Sequence, residues 1–425
     1  MNSKTLAELT NYLQRGISPK YEEVGIPVIN QKCIRNGQLK SESVKFHSIQ
    51  KTVPPEKFLK ENDILVNSTG VGTLGRVARV GKTQGKVVAD SHVTIVRPNT
   101  ELVDPLFLFY ALRLSEPTIV SLASGSTGQT ELSRLALGEL EIPKLERSAQ
   151  GFIAATLASI DEKILINESL AQTFENISQT IFKSWFIDFE PVKAKMAGEK
   201  PTGMDDATAA LFPDLLEDCD LGAIPKGWGV FSVKDFGTVV TGKTPSTRKP
   251  EYWGDEIPFV TIPDLHSQLI MSSTSRSLTP EGANSQKKQS LPRGSTMVTC
   301  IATPGLVSYA SVPCQTNQQI NSIIPNVHHP SIWLFWHMRS LIPQLIRSSG
   351  VGTVFANLNK TDFSNIKSIA PPESLRNAFA HTAAPFLEMM ENLSLESKSL
   401  AEVRDGLLPR LISGELRIPD DLLVS

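Results

Sequence analysis

The sequence predicts an α+β fold, with two pseudo-repeated mixed α/β domains separated by two long helices that form an antiparallel coiled coil. Three observations support this prediction. The chain has 425 residues, enough for two or more domains with their own cores. Segments of the first half recur in the second half, and each copy is followed by a helical heptad pattern. The composition, 40% hydrophobic and 20% charged, is that of an ordinary globular protein.

The repeat consists of short segments that return about 225 to 232 residues later in the chain. Residues 25–29 (GIPVI) return as 256–260 (EIPFV), and residues 107–113 (FLFYALR) return as 333–339 (WLFWHMR). Both pairs keep the same order and nearly the same register. Two copies of one supersecondary module explain this better than chance similarity does.

Residues 237–244 (GTVVTGKT) match the G-x-x-x-x-G-K-[ST] loop that holds phosphates in nucleotide hydrolases. That loop must lead directly into a helix, but Pro245 and Pro250 leave no room for one. The first copy also has Ile17 where this copy has Lys243, the lysine that the loop requires. We therefore predict a turn that enters an extended segment, and not a nucleotide site.

Residues 70–75 (GVGTLG) resemble a dinucleotide-binding fingerprint that follows a predicted strand at 63–67. A helix must follow the last glycine of that fingerprint, whereas residues 76–80 (RVARV) alternate as a strand does. The second copy retains none of the three glycines. This pattern predicts a hairpin with a glycine-rich tip and no cofactor site.

Each copy ends in a helix whose apolar residues recur at alternating spacings of three and four. About 37 residues in each helix would extend roughly 55 Å. Two such helices most simply pack on each other; the alternative is that each lies on its own domain. Pro385 is expected to kink the second helix or delay its start. The predicted core positions are Ile160, Ile164, Asn167 (a polar residue that could fix the register), Phe174, Ile181, Trp185, Phe386, Leu393, Leu400 and Leu407.

The domain boundaries follow from the repeat and from these helices. The segment between the copies is acidic and contains several prolines, which is typical of a linker. We predict a first module at 1–145, a central spacer helix at 146–186, an acidic linker at 187–224, a second module at 225–371, a C-terminal spacer helix at 372–416 and a tail at 417–425.

The net charge of −2 is unevenly distributed along the chain. The first module has 18 Lys and Arg against 14 Asp and Glu, which gives +4. Residues 227–371 have 12 against 7, which gives +5, whereas the remaining segments are acidic. Two basic blocks allow two separate contacts with a polyanion. Chance variation of the surface charge is the alternative.

Several protein classes do not fit the sequence. No apolar run reaches the roughly 18 residues that a membrane span needs, and the N-terminus lacks the apolar core of a signal peptide, so a cytoplasmic protein is expected. The four cysteines are scattered without a C-x-x-C pair, which indicates neither a disulfide framework nor a zinc site. His328 and His329 precede Pro330 and are expected in a polar loop rather than on a metal.

Loops rich in glycine, hydroxyl and amide residues interrupt both basic modules. Asn and Gln can read adenine edges, Arg can read guanine, and hydroxyls and backbone N–H groups can hold phosphates. Each loop by itself is equally compatible with a plain turn. The candidate DNA-contact residues are Asn67, Ser68, Thr69, Gly70, Thr73, Arg76, Lys82, Ser126, Thr127, Gln129 and Thr130 in the first module, and Lys243, Arg248, Lys249, Asn317, Gln318, Gln319 and Thr353 in the second.

Four segments, together with the layout of two modules and two helices, make the chain similar to the specificity subunits of type I restriction–modification systems. They are residues 158–164 (ASIDEKI), 181–195 (IFKSWFIDFEPVKAK), 221–228 (LGAIPKGW) and 404–416 (RDGLLPRLISGEL). The resemblance covers essentially the whole chain, and the second and fourth segments are the most specific.

The resemblance implies two target-recognition domains, each reading one half of an asymmetric bipartite site on double-stranded DNA. It further implies that the helices set the half-site separation and dock two methylation subunits, which restriction subunits join later. The chain itself would be non-catalytic and bind no cofactor; S-adenosylmethionine would belong to the methylation subunit, and ATP and Mg²⁺ to the restriction subunit. Because the modules vary widely within the family, no base contact carries over.

Two other classes of function remain as alternatives. A stand-alone DNA methyltransferase that flips a base needs an Asp/Asn/Ser-Pro-Pro-aromatic loop, but the double prolines here lie in residues 53–56 (VPPE) and 370–373 (APPE). A nuclease is not indicated either, because residues 213–217 (PDLLE) lack the lysine of the P-D…E-x-K motif. The other class, a coiled-coil adaptor with two protein-binding modules, is opposed only by the basic charge of the modules.

Overall fold

The computed structural model describes residues 3–125, 130–301, 303–349, 357–416 and 418. The chain forms two compact units. The first unit consists of residues 1–165 and 398–425, and the second consists of residues 166–397. The division falls inside both long helices. The predicted mixture of helices and sheets is confirmed.

The first unit contains the first module, in which short strands precede the helices. Its strands are β1 (Ser3–Thr5), β2 (Thr10–Arg15), β3 (Tyr21–Glu22), β4 (Ile26–Ile29), β5 (Ile34–Arg35), β6 (Gln38–Leu39), β7 (Lys45–His47), β8 (Ile64–Asn67), β9 (Val77–Arg79), β10 (Val88–Ala89), β11 (Val93–Pro98) and β12 (Glu141–Pro143). Its helices are α1 (Pro105–Leu114), α2 (Glu116–Ser121), α3 (Arg134–Gly138) and the first half of α4 (Arg147–Phe186).

The main sheet of the first module has the strand order β2-β11-β8-β9, and its neighbouring strands are antiparallel. A smaller sheet has the order β10-β4-β7-β3, in which β10 and β4 are parallel. In the central strands β8 and β11 every residue except Arg97 is buried, and apolar residues predominate, as is typical of strands covered on both faces. Strands β8 and β9 form the predicted hairpin, with the glycine-rich segment at its tip.

The second unit contains the second module and the segment that precedes it. Its strands are β13 (Leu216–Cys219), β14 (Gly222–Pro225), β15 (Gly229–Ser232), β16 (Gly237–Thr241), β17 (Trp253–Gly254), β18 (Ile257–Val260), β19 (Ile270–Met271), β20 (Ser277–Leu278), β21 (Thr296–Thr299), β22 (Val307–Ala310), β23 (Gln315–Thr316), β24 (Ile320–Pro325) and β25 (Lys367–Ala370). Its helices are α5 (Glu190–Met196), α6 (Asp206–Ala210), α7 (Ile262–Ser267), α8 (Pro280–Asn284), α9 (Ser331–Ser340), α10 (Ile342–Ser348), α11 (Lys360–Ser364) and most of α12 (Glu373–Ile412).

The two modules share one topology, which confirms the internal repeat. The main sheet of the second module, β16-β24-β21-β22-β19, repeats the order of the first and adds one strand. Its smaller sheet, β23-β18-β20-β17, repeats β10-β4-β7-β3, including the parallel pair. The strand pair β15–β25 repeats β1–β12. The long helices α4 and α12 each have 40 residues.

Two glycines lie at the equivalent point of the two modules, where the chain leaves the main sheet. A Cβ on Gly16 would lie closer than 3.0 Å to the carbonyl oxygens of Ala89 and Asp90, and a Cβ on Gly242 would lie equally close to the backbone of Thr316 and Asn317. Backbone hydrogen bonds hold both contacts, with the Gly16 N–H donating to Val93 and the Gly242 N–H to Ile320. These crossings require glycine because no side chain fits between the two backbones.

The long helices pair antiparallel within the second unit. Asn167 donates a 2.8 Å hydrogen bond to Glu396, and the rings of Phe174 and Phe386 stack at 5.9 Å between centroids. In the first unit, Asp161 on α4 accepts a 2.6 Å hydrogen bond from Arg404 on α12. Of the predicted core positions, Ile164, Asn167 and Trp185 are buried, and Ile160, Phe174, Ile181, Phe386, Leu393, Leu400 and Leu407 are half-buried.

Helix α12 begins at Glu373, before Pro385, so the prediction that Pro385 delays the start of this helix is wrong. The helix runs without a break from Glu373 to Ile412 and passes through Pro385, which is exposed. At this position the proline removes one backbone donor from the helix. The apolar contacts of Phe379, Ala383 and Leu387 in the core of the second unit outweigh that local cost.

The acidic segment at 187–224, predicted as a linker, is folded. It contains α5, α6 and the β13–β14 hairpin. Phe212 is 2% exposed and makes an edge-to-face contact with Trp185 at 5.4 Å, and Val192 is fully buried. The acidic residues stay on the surface while a few apolar residues enter the core of the second unit, so charge alone did not reveal this structure.

We predict that Gly16→Ala lowers the free energy of unfolding of the first unit by about 1–3 kcal/mol, because overpacking against a fixed backbone forces the strands apart. Gly406→Ala is the matched control in the same unit. It lies on α12 with open space at its Cβ position, and should raise stability by about 0.5–1 kcal/mol. Hydrogen exchange of first-unit peptides measures both. Equal protection in the Gly16→Ala variant and the unmodified chain would contradict the packing argument.

Candidate nucleic-acid interface

The loops at one end of the main sheet converge in the first module. Strands β2 and β8 end there, and β9 and β11 begin there, because neighbouring strands are antiparallel. We call residues 16–20, 30–33, 68–75, 90–92 and 130–132 the first loop edge. It joins two loops that the sequence presented as separate candidates, since Thr69 forms a β-bridge with Glu131.

Polar side chains connect the first loop edge. The Thr69 hydroxyl lies 2.8 Å from the Nδ1 atom of His92 and accepts a hydrogen bond from the Gln31 amide. Arg15 donates to the Leu132 carbonyl at 2.6 Å and to the Glu131 carboxylate at 2.9 Å. Burial lowers the pKa of the Arg15 guanidinium, while the charge of Glu131 opposes that shift. The edge is therefore a connected set of hydroxyl, amide, imidazole and charged groups.

Two candidate residues of the first module are internal. Asn67 is fully buried and donates to the carbonyls of Gln31 and Thr73 at 3.0 Å. Ser68 is also fully buried, and its hydroxyl lies 2.6 Å from that of Thr94. A buried side chain cannot reach a base edge in this conformation. These two residues shape the loop, and Thr69 is the one that is half-exposed.

The remaining candidates of the first module differ in position and exposure. Gly70, Thr73 and Arg76 lie in the hairpin tip and are half-buried, with Arg76 donating to the Gly72 carbonyl at 2.7 Å. Lys82 is exposed but lies beyond the opposite end of β9, so the structure does not bring it to the loop edge. Thr130 is exposed. The candidates Ser126, Thr127 and Gln129 lie outside the described residues.

The second module has an equivalent set of loops, which we call the second loop edge: residues 242–249, 261–266, 303–306 and 317–319. The Thr244 hydroxyl donates to Gln318 at 2.7 Å, and the Lys243 N–H donates to the Thr316 carbonyl at 2.9 Å. No helix follows β16 within this loop, in agreement with the predicted turn.

The candidates of the second module differ in exposure. Lys243, Arg248, Lys249 and Gln318 are exposed, Gln319 is half-buried and Asn317 is 9% exposed. Lys249 donates to the Tyr252 hydroxyl at 3.0 Å. Thr353 lies outside the described residues. Which of these side chains contact DNA stays a prediction.

The same backbone turn occurs at both edges. The Asp90 carboxylate accepts the His92 N–H at 2.8 Å, and the Asn317 side-chain oxygen accepts the Gln319 N–H at 3.0 Å. Burial raises the pKa of Asp90, and the His92 N–H and nearby positive charges oppose that shift. Each turn lies against its crossing glycine, so the two edges have one backbone design.

The side chains on this shared backbone differ in charge. Beside the shared turn, Asp90 and Glu131 give the first edge carboxyl groups, and Arg15 lies next to them. The second edge has the amides of Asn317 and Gln318 at its turn, and its cations lie in residues 242–249. Sequence reasoning missed Arg15, Gln31 and His92. The repeat could have indicated His92, since residues 90–92 (DSH) align with 317–319 (NQQ).

The residues that the structure describes do not gather into a metal site. Among the residues that the structure describes, no three His, Cys, Asp or Glu residues are placed to hold a metal ion. His328 is exposed, but His329, expected in a polar loop, is 7% exposed and packs edge-to-face on Phe236 at 5.1 Å. Burial lowers the pKa of His329 to about 4.

In the described part of the chain, no helix is long and apolar enough to cross a membrane.

Comparison with known proteins gives one consistent family. The model of the type I restriction modification DNA specificity domain matches residues 1–176 and again 225–403. The chain is 34% identical over 406 residues to the type I restriction enzyme HindI specificity subunit of Haemophilus influenzae, with 85% of this chain and 88% of the relative covered.

Two further similarities extend this result. The type I restriction enzyme MjaIX specificity subunit of Methanocaldococcus jannaschii is 28% identical over 190 residues, which cover 44% of each chain. The crystal structure of the S subunit of a type I restriction-modification system from M. genitalium aligns with a TM-score of 0.54 at 16% identity. That alignment covers 96% of this chain and 95% of the other, and it shows a shared fold.

We predict that Asn317→Ala removes the turn at the second loop edge and costs about 1 kcal/mol of local stability, because the Gln319 N–H loses its acceptor. Asn317→Asp is the matched control, since Asp90 forms the same turn in the first module. Hydrogen exchange at the Gln319 amide should be faster in the alanine variant and nearly unchanged in the aspartate variant. Equal exchange rates in both variants would rule out this role.

Proposed function

Because the chain belongs to the family of type I restriction–modification specificity subunits, we propose that it reads an asymmetric, bipartite DNA site and brings methylation and restriction subunits to it. Each module would read one half-site through its loop edge. The observation that carries this proposal is the repetition of one backbone loop edge at equivalent strand ends of both modules.

The chemistry of the loop edges fits groups on DNA. Hydroxyls such as those of Thr69 and Thr244, and exposed cations such as Lys243, are typical partners of phosphate oxygens. The exposed Gln318 amide has a donor and an acceptor, as adenine does in the major groove. The rigid sheet behind each edge would hold these groups in fixed positions.

The difference between the edges supports an asymmetric site. Beside the shared turn the first edge carries carboxyl groups, whereas the second carries amides on the same backbone. Base edges differ in their pattern of donors and acceptors, so two edges with different side chains would select different sequences. A chain of two identical modules would instead favour a symmetric site.

Docking of methylation subunits on the long helices is the second part of the proposal. The predicted core positions of the helices pack inward, but other apolar residues of α4 are exposed. In the second unit these include Ile166 (48% exposed), Leu170 (42%) and Ile177 (37%), which recur at helical spacing. An exposed apolar stripe of this kind is typical of a protein-binding surface.

Catalysis would reside in the partner subunits. We expect S-adenosylmethionine in the methylation subunit, and ATP and Mg²⁺ in the restriction subunit, with this chain supplying recognition alone. Its own residues would orient the DNA, hold the loops in shape and dock the partners.

We predict that exchanging residues 1–145 for the equivalent module of a relative changes one half of the recognised DNA sequence and leaves the other half unchanged, because each module has its own core and loop edge. The measurement is the mapping of methylated bases in a host that carries the chimera and its methylation subunits.

The reciprocal exchange of residues 225–371 is the control, and it should change only the other half. If either chimera altered both halves, the modules would not read independently. If methylation by both chimeras kept the original sequence, the modules would not be the readers.

A further inference from the structure

Both modules hold a cation over an aromatic ring on the smaller sheet. In the first module the Nζ atom of Lys45 lies 4.7 Å from the centroid of the Tyr21 ring. In the second module the guanidinium carbon of Arg276 lies 3.8 Å from the centroid of the Trp253 ring. The two cations are 231 residues apart and the two rings 232 residues apart, within the register of the repeat, although neither the cation nor the ring is the same residue type.

The two pairs occupy equivalent positions in the repeated topology. Tyr21 on β3 lies opposite His47 on β7, and Trp253 on β17 lies opposite Leu278 on β20. In each case the cation stands two residues before the residue that faces the ring. The pairs are therefore the same site in two copies, filled by Lys and Tyr in one copy and by Arg and Trp in the other.

Each pair adjoins its loop edge. Lys45 lies opposite Val28, just before β4 enters the first loop edge, and its charge acts on Asp90 within that edge. The indole N–H of Trp253 donates at 3.3 Å to the Ser246 carbonyl within the second loop edge. An extended ligand lying along either edge would meet the cation next.

The cations are accessible and available to an anion. Lys45 and Arg276 are exposed, and among the described residues neither lies within 4.0 Å of a carboxylate oxygen. By contrast, Arg293 in the second module pairs with Glu391 at 2.6 Å. An aromatic ring attracts a cation and limits its rotamers without neutralising its charge. Such a group is pre-oriented for a phosphate oxygen.

We propose that Lys45 and Arg276 are equivalent phosphate contacts, one in each half-site, that position the modules on duplex DNA without reading its bases. This proposal rests on the proposed function. Exposed cations next to base-reading loops are suited to contact the sugar–phosphate backbone, which carries no direct sequence information. A contact that reads no bases can be kept at the same position in both modules, while the side chains on the loop edges differ.

The test measures the salt dependence of DNA binding by the full chain assembled with its methylation subunits. The variants Lys45→Gln and Arg276→Gln are compared on a duplex with the mapped site and on a scrambled duplex. Each variant should reduce the slope of log affinity against log salt by about 0.9, the value for one phosphate contact. Between 50 and 200 mM salt, each variant should thus lose about 3.5-fold less affinity than the unmodified chain.

Two controls remove an exposed positive charge elsewhere. The control variants are Lys60→Gln and Lys367→Gln. Lys60 precedes β8, at the end of the first module opposite its loop edge, and Lys367 lies on β25. Both should keep the original slope. Arg276→Lys keeps the charge and should also retain the slope, which separates a charge effect from a folding defect. The methylated sequence should be unchanged in every variant.

Three results would overturn the proposal. Slopes equal to those of the controls would show that Lys45 and Arg276 do not contact phosphates. A changed methylated sequence would make them base-reading residues. If the unmodified complex failed to distinguish the mapped site from the scrambled duplex, the proposed function would fail, and this inference with it.

Discussion

Two close backbone crossings, at Gly16 and Gly242, determine the geometry of both modules. At each crossing the chain leaves the main sheet and passes directly against the end of a strand of the smaller sheet, β10 in the first module and β23 in the second. Only glycine fits, because a Cβ would overlap carbonyl oxygens of the opposite strand. The crossing links the main sheet to the smaller sheet, and so brings loops from both sheets to one edge.

The consequence is a fixed backbone on which side chains can vary. The turn at residues 90–92 and the turn at residues 317–319 have the same hydrogen bond, although one uses a carboxylate and the other an amide. Around this turn, the first edge has carboxyl side chains and the second has amides. A scaffold of this kind can change the sequence that it reads without changing its fold, which suits the proposed reading of two different half-sites.

Much of the architecture could be predicted from the sequence, because the determining signals are local or repeated. Heptad spacing located α4 and α12, and a glycine-rich interruption between alternating segments located the β8–β9 hairpin. The same reasoning misplaced Asn67 and Ser68, since their polarity suggested exposure, whereas their buried side chains hold the loop. It also missed Arg15, whose partner Glu131 is 116 residues away in the chain, a contact that local patterns do not encode.

We propose that one chain carries two modules that read different DNA sequences. Mapping of methylated bases by single-molecule sequencing, in a host that carries this chain with its methylation subunits, tests it most directly. We expect one motif with two defined half-sites of unlike sequence, separated by a stretch of unspecified bases. A single contiguous motif, or two identical half-sites, would contradict it.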